Sequence, residues 1–203
     1  MASNNRTANI LNIILMDILE TVVITITIFA LVYLLAFQPT VIEGFSMTTK
    51  AGGFDDGQRI ITDLLTYRFR NPQRGEVIIF HPPNNKNNDL IKRVIGLPGE
   101  KIKIENSTVT IYNNEHPNGF ILDESAYLDP TIKTVASTSS ISPTKEGRVV
   151  DVPEGHYFVM GDNRQNSSDS RSFGFVDFNE IIGKGFVRYW PVTDAGVLES
   201  PNY

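Results

Sequence analysis

The 203-residue chain contains no cysteine, which excludes disulfide frameworks, thiolate nucleophiles and cysteine-ligated zinc or iron–sulfur sites while leaving the redox compartment open. Basic clusters are missing too. Lys and Arg number 18 against 23 Asp and Glu, for a formal charge of −5, with no run of Lys or Arg. The electrostatic footprint of a nucleic-acid binder is therefore absent, and no nucleic-acid partner is expected. Only three histidines occur, His81, His116 and His156. None stands in a metal-binding spacing such as H-x-x-x-H, so neither a metal nor another cofactor is expected. Spacing alone does not exclude a Ser-His-Asp triad, although His81 heads a His-Pro-Pro turn and His116 precedes Pro117 in an Asn-rich turn. A glycine-rich phosphate loop is also lacking.

One long apolar run is present. Ile18–Phe37 holds sixteen apolar residues in twenty, and Thr21–Phe37 is uncharged throughout. Seventeen residues rise about 26 Å as a helix, and Ile18 and Leu19 extend the run toward the ~30 Å of a bilayer core. Residues 18–37 are expected to be a transmembrane helix, preceded over 1–17 by a short tail and the helix start. Thr21, Thr25 and Thr27 are compatible with this, since their hydroxyls can bond carbonyls one turn back. The alternatives are a buried core helix and a cleaved secretory signal. The run exceeds the usual signal h-region of about 7–15 residues, and no small-x-small cleavage site follows it. Charge gives no orientation, because Arg6 alone precedes the helix and Lys50 is the sole basic residue in the twenty that follow it.

After Pro39 the periodicity turns from helical to alternating, in short β-branched runs bounded by Gly, Pro and Asn. Strands are expected at Arg59–Asp63, Glu76–Phe80, Leu90–Ile95, Lys101–Ile104, Ser107–Tyr112, Arg148–Val152, His156–Met160 and Gly183–Trp190. No helical stretches of ten to fifteen residues intervene, so the expected class is mainly β: an antiparallel barrel-like or sandwich domain over 38–203, with 105–150 a less regular insertion. Thr134–Gly147 and Pro82–Asn88 read as solvent-facing loop and turn.

Ser46 in GFSM and Lys92 in DLIKRVIGLPGE could form a nucleophile–base pair. In a strand over Leu90–Ile95, Lys92 shares a face with Leu90 and Val94. Desolvation there lowers an amine pKa from its usual ~10.4 by disfavouring the ammonium, which would let the lysine activate a hydroxyl and later protonate a leaving amine. The bland reading is a snorkelling edge-strand lysine beside an ordinary serine. Further on, VPEGHYFVMGDNRQNSSDSRSFGFV ends a strand in a turn-rich segment. There Asp169 and Arg171 would fall on one side of an extended chain, as a loop-bracing ion pair.

Taken in order, the apolar anchor, GFSM, RGEVIIFHPP, DLIKRVIGLPGE, the GDNR-x-NS-x-DSR box and the closing IIGKGFVRYW resemble bacterial type I signal peptidases, membrane serine proteases that use a Ser/Lys dyad. The resemblance spans roughly 41–191, and its GDNR box is the most specific part. It implies Ser46 as acyl-forming nucleophile and Lys92 as its base, Ser167 hydrogen-bonded to the lysine amine, and the Asp169–Arg171 pair as support. It further implies an oxyanion contribution from the position of Gly44, which has only backbone to offer. The implied substrates are signal-peptide-bearing preproteins, bound extended with small side chains at −1 and −3. The implied setting is the plasma membrane, with a single span, a cytoplasmic N-terminus, an extracytoplasmic catalytic domain and a monomeric chain. Nine residue steps from Phe37 to Ser46 span at most about 30 Å, which would keep the serine near the lipid.

The chain departs from the family pattern after Ser46-Met47. The usual S-M-x-P-T-L reads Ser46-Met47-Thr48-Thr49-Lys50, and a few residues precede the Asp56-Gly57 turn. Loss of the proline predicts a more flexible serine loop and slower catalysis or altered geometry, not inactivity. Two other classes remain: a Ser/Lys self-cleaving regulator, for which no helix-turn-helix segment precedes the serine, and a membrane-anchored β-domain that binds peptides without cutting them.

Overall fold

The computed structural model describes residues 2–49, 53–83, 88–137, 143–201 and 203. Lys50, the centre of the Pro82–Asn88 turn and the middle of the Thr134–Gly147 loop lie outside them. Residues 1–38 and 39–203 form two separate compact units.

The first unit is helix α1, Ala2–Ala36. Over Asn12–Ala36 its mean hydropathy reaches 2.4, and 25 residues at 1.5 Å each extend about 37 Å, enough to cross a membrane. Three of its threonines are satisfied internally. The hydroxyls of Thr21, Thr25 and Thr27 donate to the carbonyls of Asp17, Thr21 and Val23, each at 2.8 Å, so these three hydroxyls need no partner outside the helix.

After α1, β1 (Phe37–Val41) leads into the second unit, where β2 (Arg59–Asp63), β3 (Val77–Phe80), β4 (Leu90–Gly96), β5 (Lys101–Glu105), β6 (Thr108–Tyr112), β7 (Phe120–Ile121), β8 (Val149–Asp151), β9 (His156–Met160), β10 (Val176–Asp177), β11 (Ile181–Trp190) and β12 (Gly196–Val197) follow one another, with short helices α2 (Thr66–Phe69) and α3 (Ser170–Phe173). The larger sheet has the order β1-β2-β11-β3-β4-β9-β10, with β12 added to β11, and the smaller runs β7-β6-β5-β8. Pairing is antiparallel, and the expected mainly β class with one N-terminal apolar helix is what the chain adopts. Register shifts at Val94/Gly96 in β4 and at three points of β11 bend and twist the larger sheet, as bulges do.

All eight expected strands form, with ends within about two residues. The unexpected strands are short or carry a breaker. β7, β10 and β12 have two residues each, too few for alternation to register, and β1 contains Pro39.

Three apolar clusters hold the unit together. Ile42, Met47, Phe54, Ile60, Val77, Ile79 and Ile91 form one, and Tyr67, Ile78, Phe80, Val94, Tyr157, Val159 and Val176 another. Alternate residues of β3 thus enter different clusters, which buries that strand on both faces. The third cluster joins Ile102, Ile104, Val109 and Ile111 of the smaller sheet to Ile95, Phe158 and Met160. Because β4 lies between β3 and β9, Lys92 is on an inner strand and the edge-strand reading does not apply.

The Thr134–Gly147 loop corrects an expectation. Its composition predicts a solvent-facing loop, whereas Thr134 and Thr144 are each only 2% exposed. Thr134 Oγ1 accepts a 2.6 Å hydrogen bond from the buried Arg164 guanidinium, which also forms an ion pair with Glu124. A buried charge recruits whatever acceptors its surroundings offer, and a Ser/Thr-rich loop supplies them.

Candidate active site

Ser46 stands on the loop between β1 and β2, and the loop is tied down on both sides. Ile42 N–H donates to Gln58 O and Gly57 N–H to Ile42 O, both at 2.8 Å. Met47, 1% exposed, packs into the cluster of Ile42, Phe54 and Ile60, so the residue after the serine is an apolar anchor. From the opposite side the turn after β9 clamps the loop. Asn163 N–H donates to Ser46 O at 3.0 Å, its Nδ2 donates to Phe45 O at 2.9 Å, and Asp162 N–H meets Met47 Sδ at 3.4 Å.

Lys92 sits opposite Ile78 in the β3–β4 ladder. Its side chain is 1% exposed. Nζ lies 2.7 Å from Ser46 Oγ and donates to Ile91 O at 2.7 Å. Burial pushes the amine down from 10.5 to about 8, against the opposing pull of the Asp169 and Asp162 carboxylates. At neutral pH roughly a tenth of the molecules then carry a neutral amine. A hydroxyl in contact with such an amine has the geometry of a nucleophile and its general base.

The neighbour of Lys92 on the strand, Arg93, is also buried. Its Nε and NH2 form a bidentate pair with Asp162 at 2.9 and 2.6 Å, NH1 donates to Gly75 O at 2.8 Å, and the guanidinium lies 4.1 Å from the centre of the Tyr127 ring. The pair fastens the lysine strand to the same turn that clamps the serine loop.

Gly161, just before that turn, is required by space. A Cβ there would sit 2.2 Å from Ser167 Oγ and 2.3 Å from Ser46 O. Ser167 is therefore close to the serine loop. Its Oγ is buried and has no hydrogen-bond partner among the described residues, and the amine's own bonds go to Ser46 and Ile91. Asp169 caps α3, accepting from Arg171 N–H at 3.1 Å. It also takes a bidentate bond from the Arg171 guanidinium at 2.9 and 2.7 Å, and a bond from Gly161 N–H at 3.1 Å. The pair thus braces its own loop and reaches the site through Gly161. Gly44 adopts φ +84°, and its N–H donates to Asp56 Oδ1 at 2.7 Å.

A cleft of about 420 Å³ leads to the pair. Thr40, Ile42, Ile79, Leu90 and Ile91 are among its walls, and it ends at Ser46 and Lys92. Among the described residues no group of three or more His, Asp or Glu side chains is placed to hold a metal.

Sequence reasoning missed Arg93, Asp162, Asn163, Asp56 and the Thr48–Thr49 contacts as parts of the site. Arg93, Asp162 and Asn163 lie within the boxes already singled out, so position in a box was the available signal. For Thr49 only the missing proline pointed there.

A family model described as signal peptidase, peptidase S26, matches residues 15–190. A protein of Synechocystis sp. described as probable signal peptidase I-2 is 37% identical over 145 residues, 69% of this chain and 58% of that relative. The match thus spans little more than half of that relative's length. Signal peptidase IB of Staphylococcus aureus is 32% identical over 188 residues, 88% of this chain and 92% of its own. A crystal structure of a signal peptidase I from Enterococcus faecalis matches at 32% identity with a TM-score of 0.42, covering 57% of this chain and 97% of that one.

Proposed function

The chain belongs to the signal peptidase family, peptidase S26, and from that membership we propose that it is a serine endopeptidase that removes N-terminal signal peptides from exported preproteins through a Ser46–Lys92 dyad. The carrying observation is the 2.7 Å approach of Nζ to Oγ in a site dry enough to bring the amine to about 8.

The steps follow from that contact. Neutral Lys92 accepts the Ser46 proton as Oγ attacks the scissile carbonyl carbon, and the carbonyl oxygen becomes an oxyanion facing Ser46 N–H. When the tetrahedral species collapses, the C–N bond breaks and the Lys92 ammonium protonates the departing amine, the new N-terminus of the mature protein. The signal peptide remains as an ester on Ser46. Water then gives a proton to Lys92 and attacks that ester, releasing the peptide carboxylate and restoring the serine. Ser167, with its unbonded buried hydroxyl beside the serine loop, is the candidate to accept the amine's remaining N–H. Asp169 and Arg171 support the turn that carries it.

The cleft mixes aliphatic walls (Val41, Ile42, Ile79, Leu90 and Ile91) with polar ones (Thr40, Glu43, Asn88 and Asp89), and the proposed substrate is an extended peptide held there by main-chain bonds with small side chains pointing inward. Both dyad members come from one chain, so a monomer is competent. The apolar helix α1 is read as a single plasma-membrane span with a cytoplasmic N-terminus and an extracytoplasmic catalytic unit. Tethering to the lipid bilayer raises the local concentration of enzyme and preprotein together.

The test is incubation of the detergent-solubilised chain with a preprotein. Cleavage at the signal-peptide junction is expected from wild type and is expected to be lost in Ser46→Ala, Lys92→Ala and Lys92→Arg, the last because a guanidinium cannot be deprotonated here. Wild type that binds the preprotein without cutting it would leave only a peptide-binding domain.

A further inference from the structure

The serine loop lacks the proline whose loss predicts a slack backbone, yet two threonine hydroxyls tie it down. Thr48 Oγ1 donates to Phe54 O at 2.9 Å. Thr49 Oγ1 accepts from Gly53 N–H at 3.1 Å and donates to Tyr127 O at 3.2 Å, a contact across 78 residues of sequence. The close approach is built in: a Cβ on Gly53 would lie 2.2 Å from Met47 O and 2.9 Å from Thr49 Oγ1. The first of these bonds is local to the loop, whereas the bond to Tyr127 connects it to the rest of the site.

Tyr127 is buried, with its ring beneath Arg93 at 4.1 Å and its hydroxyl bonded to Glu124 at 2.8 Å and to Tyr203 at 3.0 Å. Arg93 in turn is paired to Asp162, and Asn163, the next residue, donates to Ser46 O. The contacts therefore close a ring from Ser46 through Thr49, Tyr127, Arg93, Asp162 and Asn163 back to Ser46. Lys92 is the covalent neighbour of Arg93, so the ring spans both halves of the dyad. Cutting it at Thr49 removes one tether of the serine loop, leaving the Asn163 bonds to Ser46 O and Phe45 O in place, while the lysine end stays in the β3–β4 ladder.

We propose that Thr49 is a positioning residue for the peptidase reaction, its hydroxyl bridging Gly53 N–H and Tyr127 O so as to hold Ser46 Oγ against Lys92 Nζ in the role a proline would otherwise fill. The inference rests on the dyad reading of the site. Thr49 touches neither the cleft nor the reacting atoms, so its effect is carried by where the serine stands in the reaction. Removing the hydroxyl while keeping the shape should lower kcat and leave KM nearly unchanged. A misplacement of the nucleophile by about 1 Å costs up to roughly a hundredfold.

The experiment measures kcat and KM on a preprotein for wild type, Thr49→Val and Thr49→Ser in the full detergent-solubilised chain, normalised to folded protein by circular dichroism. The expected result is a fall in kcat of roughly tenfold or more for Thr49→Val with KM within about twofold, and recovery to within about threefold of wild type in Thr49→Ser. Equal kcat per folded molecule in Thr49→Val overturns the proposal, as does a loss seen only in KM or an equal loss in Thr49→Ser. If Thr49→Val does not fold, Thr49→Ala, which demands no more space, decides by the same criteria. Ser46→Ala run alongside separates the two claims. Cleavage that survives Ser46→Ala refutes the dyad, whereas cleavage abolished there but undiminished in Thr49→Val refutes the positioning role alone.

Discussion

Replacing Lys92 with methionine would separate what the amine does in the reaction from what its burial costs the fold. The side chain is 1% exposed, and its ionisation falls from 10.5 to about 8 through desolvation. At ~1.36 kcal/mol per pH unit, that interval corresponds to about 3 kcal/mol. The unfolded chain binds the proton more tightly than the folded one, so this cost is fully present below pH 8, fades between pH 8 and 10.5, and is absent above that range. Methionine fills a similar volume without charge but gives up the bonds to Ser46 and to Ile91 O, worth about 1 kcal/mol together after water replaces the partly exposed one. The variant is therefore expected to be about 2 kcal/mol more stable than the parent at pH 6.5 and no more stable at pH 10.5. For a domain of this size that is a rise in Tm of about 4–8 °C at the lower pH. Thermal unfolding of both full-length chains in detergent at pH 6.5, 8, 9.5 and 10.5 would measure the difference. A gap that does not change with pH, or a variant less stable at pH 6.5, would refute the idea that Lys92 is held as a desolvated amine.

Two further outcomes rest on the same geometry. Because only the neutral amine accepts the serine proton, kcat/KM should rise with pH through about 8 and level off above it, and a flat profile between about pH 6 and 10 would count against Lys92 as base. Asp162→Asn leaves the Arg93 guanidinium buried without its carboxylate, and it should lower stability by about 3 kcal/mol or more in denaturant unfolding; a change under about 1 kcal/mol would mean that the Gly75 carbonyl and Tyr127 ring suffice.

Position 49 carries side-chain hydrogen bonds where the family pattern has proline. A proline restricts a loop by limiting backbone angles in the unfolded and folded chain alike. Threonine at position 49 restricts it through side-chain bonds that exist only once Gly53 and Tyr127 are in place. The expectation of a slack loop followed from local backbone chemistry, and the compensating bond is long-range, so nothing near Ser46 in the chain announced it. The reverse held for Lys92. Its apolar companions Leu90 and Val94 were visible two residues away on either side, and the lowered amine followed from them. That both faces of its strand are covered was not visible, since Ile91, Arg93 and Ile95 read equally well as the face of an outer strand. The implied backbone role of Gly44 turned on a residue twelve positions away, because Asp56 takes that N–H.

What the sequence by itself determined was local: an apolar helix long enough for a bilayer, the strands whose β-branched alternation outlasts four or five residues, the absence of thiol and metal chemistry, and the boxes that hold Ser46 and Lys92. These follow from periodicity, propensity and residue type, which act over a few positions of chain. Tertiary structure alone decided that Oγ and Nζ meet at 2.7 Å across 46 residues, that water is kept from the amine, and that Asp56 takes the Gly44 N–H. Distance, desolvation and hydrogen-bond choice depend on which surfaces are brought together in space, and that is set by how the sheets pack.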